Sequence, residues 1–93
     1  MIDFEQKTPN EIGASVAARV RARRKELGLT QEQLSGKAGM SLASYKRFEQ
    51  KGLVACDSLI RIAIALGCED DFDCLFAKRG YSSIEEVIRG RKR

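Results

Sequence analysis

The chain has no histidine, a single proline and only three cysteines, and no stretch of it approaches the roughly 20 apolar residues of a membrane span. Cys56, Cys68 and Cys74 are odd in number, form no Cys-x-x-Cys spacing and have no histidine to complete a zinc site. They read as reduced core thiols, with no metal ligand set among them. There is no cysteine with an activating partner at recognisable spacing and no glycine-rich phosphate loop, so no catalytic residue and no cofactor is expected. The acidic run from Glu69 to Asp73 lacks the Asp-x-Asp-x-Asp-Gly pattern and distal glutamate of a calcium loop. The opening MIDFEQKTPN has neither the basic start nor the apolar run of a signal peptide, which makes the cytoplasm the expected location and leaves no membrane partner.

What remains is 93 residues, 43% apolar and 32% charged, enough for one modest hydrophobic core and no second globular unit. The composition fits an ordered, helical protein. Its net charge of +4 is unevenly spread. Residues 1–18 carry one lysine against three acids, residues 19–61 carry ten Lys and Arg against four acids, and residues 62–93 balance at six each. Positive charge concentrated where the folded elements lie fits a polyanion docked against structured surface. A solvated helix face fits it as well, and charge alone does not separate the two.

Periodicity predicts only helices. From Asn10, Ile12, Val16, Val20 and Leu27 recur at helical spacing among Arg19, Arg21, Arg23, Arg24 and Lys25, and Gly28 supplies a left-handed stop. Thr30 and Gln33 form a capping-box pattern that starts a second, short helix near Gln31. Gly39 breaks it, and Ser41 caps a third helix, about Ser41 to Gln50, with Tyr45 and Phe48 on its inner face. Two short helices joined by so tight a turn must cross steeply, which is helix-turn-helix geometry. Asp57 is the expected cap of a fourth helix carrying Leu59, Ile62, Ala63 and Leu66, and the acids from Glu69 begin a short fifth with Phe72, Leu75 and Phe76. Ser83 and Glu86 predict one more capped turn before the basic end Gly90-Arg91-Lys92-Arg93. The expected organisation is an N-terminal arm over 1–10, a helical domain over 11–77 and a short C-terminal extension over 78–93.

The segment Val16 to Leu66 resembles the lambda-repressor/Cro-like, or Xre-type, DNA-binding domains. The resemblance rests on Arg21 and Arg24 before Leu27-Gly28-Leu29-Thr30-Gln31-Glu32-Gln33-Leu34, then Ala38-Gly39-Met40-Ser41, Phe48-Glu49 and Ile62-Ala63-Ile64-Ala65-Leu66-Gly67. It implies an all-α, compact five-helix fold and a regulator of transcription, commonly a repressor, that binds double-stranded DNA. It further implies that Gln31 reaches a phosphate, that Thr30 presents its backbone there, and that Arg24 pairs with Glu49 as a structural ion pair.

With Tyr45 and Phe48 inward, Leu42, Ala43, Ser44, Lys46 and Arg47 form the outer face of the third helix, with Ser41 at its tip and Lys51 at its end. Lys46 and Arg47 suit base or phosphate contacts, Ser44 a polar contact and Ala43 a thymine methyl. Two departures from the family stand out. Relatives often carry polar readers where this chain has Leu42 and Ala43. The usual Glu-x-Gly becomes Glu49-Gln50-Lys51-Gly52, which either lengthens the helix or alters its exit. A homodimer on half-sites one helical turn apart is the expected assembly. An antitoxin that also binds a toxin protein, and a protein-interaction module without DNA, stay open as alternatives.

Overall fold

Thr8 opens the first helix, with its hydroxyl accepting from the Glu11 amide at 3.1 Å while its own amide donates to the Glu11 carboxylate at 2.8 Å. Pro9 then stands at the first helical position, where its missing N–H costs nothing. The computed structural model describes residues 6–78. Within them α1 spans Pro9–Glu26, α2 Gln31–Lys37, α3 Leu42–Lys51 and α4 Cys56–Leu66, followed by a 3-10 turn at Glu69–Asp73. The described part is all helical, and no helix in it is long and apolar enough to cross a membrane. The capped turn expected at Ser83 and the basic end lie outside the described residues.

The helix-turn-helix forms as its caps dictate. Thr30 accepts from the Gln33 amide at 3.0 Å and its own amide donates to the Gln33 side chain at 2.9 Å, closing the second capping box. At the far end of α2, Gly39 adopts φ +67°. In that conformation the amides of Gly39 and Met40 donate to the carbonyls of Gly36 and Ser35 and turn the chain sharply. Ser41 caps α3 by accepting from the Ser44 amide at 3.1 Å. Arg61 of α4 fixes the turn from behind, its Nε donating to the Ala38 carbonyl at 2.9 Å.

Tyr45, Phe48, Leu34 and Ile62 are the largest fully buried side chains, joined by Ala17, Ala38 and Leu66. The Tyr45 and Phe48 rings meet edge to face with centroids 6.0 Å apart. Burying side chains of this size contributes about 1.5–3 kcal/mol each, so α3 is held mainly through two residues one turn apart. α1 reaches the core through Ala17 and the half-buried Val16 and Val20, whereas Ile12 and Leu27 of the expected stripe are exposed. The reason is a close approach. Gly13 faces Gly52 at the end of α3, where a Cβ on Gly13 would lie 2.8 Å from the Gly52 carbonyl oxygen. The small residues Gly13 and Ala17 therefore define the contact line, and Ile12 falls beside it.

Three further expectations are corrected. α4 begins at Cys56 with Ala55 as its cap residue and no side-chain cap; Asp57 is inside the first turn, where its carboxylate accepts from Arg61 at 3.2 Å. The fifth helix is a 3-10 turn of five residues with no side-chain cap, and beyond it Phe76 takes a left-handed φ of +61°. The cysteines are free, but Cys56 and Cys74 are exposed and are not core residues, while Cys68 is partly buried and packs against the core.

Candidate nucleic-acid interface

α3 has two faces with separate tasks. Its inner side carries Tyr45, Phe48 and Glu49, and its outer side exposes Ala43, Ser44, Lys46, Arg47 and Gln50. Leu42 is half-buried and not fully on the outer face. Gly52 at φ +72° ends the helix at Lys51, which is exposed, so the extra residue before the glycine lengthens α3.

Glu49 ties three helices together. Its side chain is only 4% exposed. Oε2 accepts from Arg24 Nε at 2.8 Å and from the Tyr45 hydroxyl; Oε1 accepts from Arg24 at 3.3 Å and from the Gln31 amide at 3.0 Å. Arg24 also donates to the Leu29 carbonyl at 2.8 Å, so one guanidinium joins α1, the loop before α2 and α3. Arg24 and Glu49 are thus brought together as a two-point, largely buried pair. Burial pushes the Glu49 carboxyl up, but the hydrogen bonds from Arg24, Tyr45 and Gln31 outweigh it and hold the group below its ordinary value. The same contacts favour charge on Arg24, led by its hydrogen bond to Glu49. Burial, and then the bond to Glu49, raise Tyr45 so that its phenol stays a donor.

Around this anchor the expected contact residues are placed as follows. Gln31, the first residue of α2, is half-buried and spends one amide hydrogen on Glu49, leaving the other unused among the described residues. The Thr30 backbone amide, expected to face the same phosphate, is instead taken by Gln33. Ser41 donates to the Ser44 hydroxyl at 2.9 Å, which leaves Ser44 its own O–H to donate. Ser44 and Arg47 border a shallow depression of about 240 Å³ with Met40, Leu53, Val54 and Ser58. Lys46, Arg47 and Lys51 are exposed on the same helix.

Two contributions escaped the sequence reading. Tyr45 was expected only as a core ring, although its spacing of four from Glu49 is the signal that its hydroxyl could reach the carboxylate. Arg61 drew no expectation, and nothing in its neighbourhood on the chain points to Ala38. Among the described residues no group of histidine, cysteine or acidic side chains could hold a metal ion.

Apart from α3, the helices α1 and α4 and the 3-10 turn border an open groove of about 520 Å³ lined by Val16, Val20, Leu59, Ile62, Leu66 and Phe72. Near it Leu75 and Phe76 are exposed, Phe76 by 93%.

No curated protein matches the chain. A family model described as helix-turn-helix matches residues 20–72, from the second half of α1 into the 3-10 turn. That span includes Arg24, Gln31, all of α3 and Glu49, and is more than half of the 93 residues. The chain belongs to the helix-turn-helix family of lambda-repressor-like, Xre-type DNA-binding regulators.

Proposed function

We propose that the protein is a sequence-specific transcriptional repressor of the cytoplasm that reads the major groove of duplex DNA with α3 and binds as a homodimer. The observation that carries this reading is the division of α3. Tyr45, Phe48 and Glu49 fix the helix from inside, and Ala43, Ser44, Lys46 and Arg47 are left outward with no structural duty beyond the Ser41–Ser44 cap. A major groove admits such a helix, and a guanidinium can donate to guanine O6 and N7 together. In this reading Arg47 contacts a base, Ala43 a thymine methyl, and Ser44 and Lys46 a base or the backbone. Leu42 adds an apolar edge, while Ser41, the Thr30 hydroxyl, Gln31 and Lys51 line the backbone.

Selection from a randomised duplex library tests the proposal, with parent and Arg47→Ala compared at two salt concentrations. The parent is expected to enrich one, palindromic, sequence and to lose affinity as salt rises. Arg47→Ala is expected to cost about 1–3 kcal/mol on that sequence, roughly five- to 150-fold, and to relax selection at one base pair. Failure of the parent to enrich any sequence sinks the proposal in favour of a protein-interaction module.

For the assembly, the groove and the exposed Leu75 and Phe76 supply apolar surface that involves no residue of α3. A second copy there would present two α3 helices to half-sites about 34 Å apart. The solution mass at tens of micromolar is expected to be that of a dimer. A monomer that stays monomeric on a palindromic duplex rules the dimer out. The same surface favours, as a second reading, an antitoxin-type regulator that docks a toxin protein, which co-purification of a stable partner would reveal.

A further inference from the structure

The four arginines of α1 differ in what they touch. Arg19 donates to Ser15 at 2.7 Å, Arg23 is bonded to Glu26, and Arg24 is committed to Glu49 and the Leu29 carbonyl. Arg21 has no hydrogen-bond partner among the described residues. Its Nε is the nitrogen nearest to Glu49 and lies 4.0 Å from Oε1, at the outer limit of an ion pair, and its side chain is 58% exposed.

Glu49 has nothing left to offer it. A carboxylate has about four lone-pair positions, and these are filled by two nitrogens of Arg24, the Tyr45 hydroxyl and the Gln31 amide. Its single negative charge already faces the buried Arg24. The cluster therefore carries one surplus positive charge, and that charge sits on Arg21. At 4.0 Å and without a hydrogen bond, the half-exposed Arg21 is only loosely held by the buried carboxylate, so the contact is readily exchanged for a better anion. Gln31 shares Oε1 with Arg21 as neighbour, which puts the spare amide hydrogen of Gln31 and the free donors of Arg21 at one place on the surface.

We infer that Arg21 is a DNA-backbone contact: its guanidinium leaves Glu49 and grips a phosphate beside the one Gln31 serves, with the Glu49 cluster as its mount. The inference rests on the DNA-binding reading above. It assigns Arg21 to affinity and not to sequence choice, because a phosphate is the same at every base pair. It also separates Arg21 from Arg24, three residues along the same helix: Arg24 holds the fold, and Arg21 holds the nucleic acid.

The test compares the parent, Arg21→Gln and Arg21→Lys on the selected duplex and on a scrambled duplex across a salt series. Arg21→Gln is expected to weaken both duplexes by the same factor and to reduce the slope of log K against log salt by about 0.9, equivalent to roughly eightfold at 0.1 M relative to 1 M. Arg21→Lys is expected to keep the parent slope. The thermal midpoint of Arg21→Gln should match that of the parent, since Glu49 loses no hydrogen bond. An unchanged slope, a loss confined to the selected duplex, or a lowered midpoint overturns the assignment. A parent that binds neither duplex defeats the DNA-binding reading itself, an outcome distinct from a parent that binds and a variant that binds equally well.

Discussion

Arg24→Ala is expected to lower the thermal midpoint by roughly 12–24 °C, corresponding to a loss of about 3 kcal/mol in a domain of this size. The magnitude comes from what is left behind. Glu49 remains buried without its two-point partner, keeping the Tyr45 hydroxyl, the Gln31 amide and the half-exposed Arg21 at 4.0 Å. The pH dependence gives the result a sign. In the parent, the Glu49 carboxyl is held below its ordinary value, so its contribution to stability is present above the ordinary carboxylate pKa of about 4.3 and is lost as pH falls through the lower folded value. Without Arg24, burial dominates and Glu49 takes up its proton at higher pH. The gap in midpoint between parent and variant is therefore expected to be widest near pH 7 and to narrow towards pH 4. Circular dichroism melts at pH 7, 5.5 and 4 check this, and a gap that is constant over the three would mean that the cost is lost packing and not the uncompensated carboxylate.

Gly52→Ala is expected to destabilise by a similar amount, about 2–4 kcal/mol, for a steric reason. A Cβ at that position would stand 2.5 Å from the Gly13 carbonyl carbon and 2.7 Å from the Ala14 amide nitrogen, with backbone on the receiving side that cannot swing away. Overpacking of this kind costs about 1–3 kcal/mol, and the φ of +72° adds about 1 for a residue with a side chain. Gly39→Ala is the matched control. It has the same left-handed backbone, at φ +67°, but nothing within 4 Å of its Cβ, so it is expected to lose only the conformational part. Unfolding free energies of the two variants from urea titration should differ by the steric part, about 1–3 kcal/mol. Equal losses would show that α1 moves aside without cost.

The helix-turn-helix was legible because its signals are local. Thr30 with Gln33, Gly39 and Ser41 each act within three or four residues, and each forms the contact its spacing announces. The same rule was available at Thr8, Pro9 and Glu11, three residues that place the start of α1 at Pro9, one residue earlier than the apolar spacing from Asn10 suggests. Asp57 misled because an acid at the front of a helix serves either as cap or within the first turn, and only the position of Ala55 decides. Gly13 was invisible for the opposite reason. A glycine inside a helix reads as a local cost, and its value appears only when the partner 39 positions away is known to arrive at the same spot. Of the interface, the composition of α3 could be read directly. That Arg21 and Arg24, three residues apart in one basic run, have different partners could not, because the difference lies in how many hydrogen bonds one distant carboxylate can accept.

The split character of α3 bears on how such a protein can change. Residues 45, 48 and 49 hold the helix in place, whereas 43, 46 and 47 make no hydrogen bond or ion pair to the rest of the fold among the described residues. Random substitution at those outward positions leaves the inner attachments standing, and variants with new target preferences need not pass through unfolded ancestors. With α3 reading the groove as proposed, a lineage built on this scaffold can drift from one operator to another by exchanging a few outward side chains. It cannot exchange Glu49 that way, since three helices would have to find new partners in a single step.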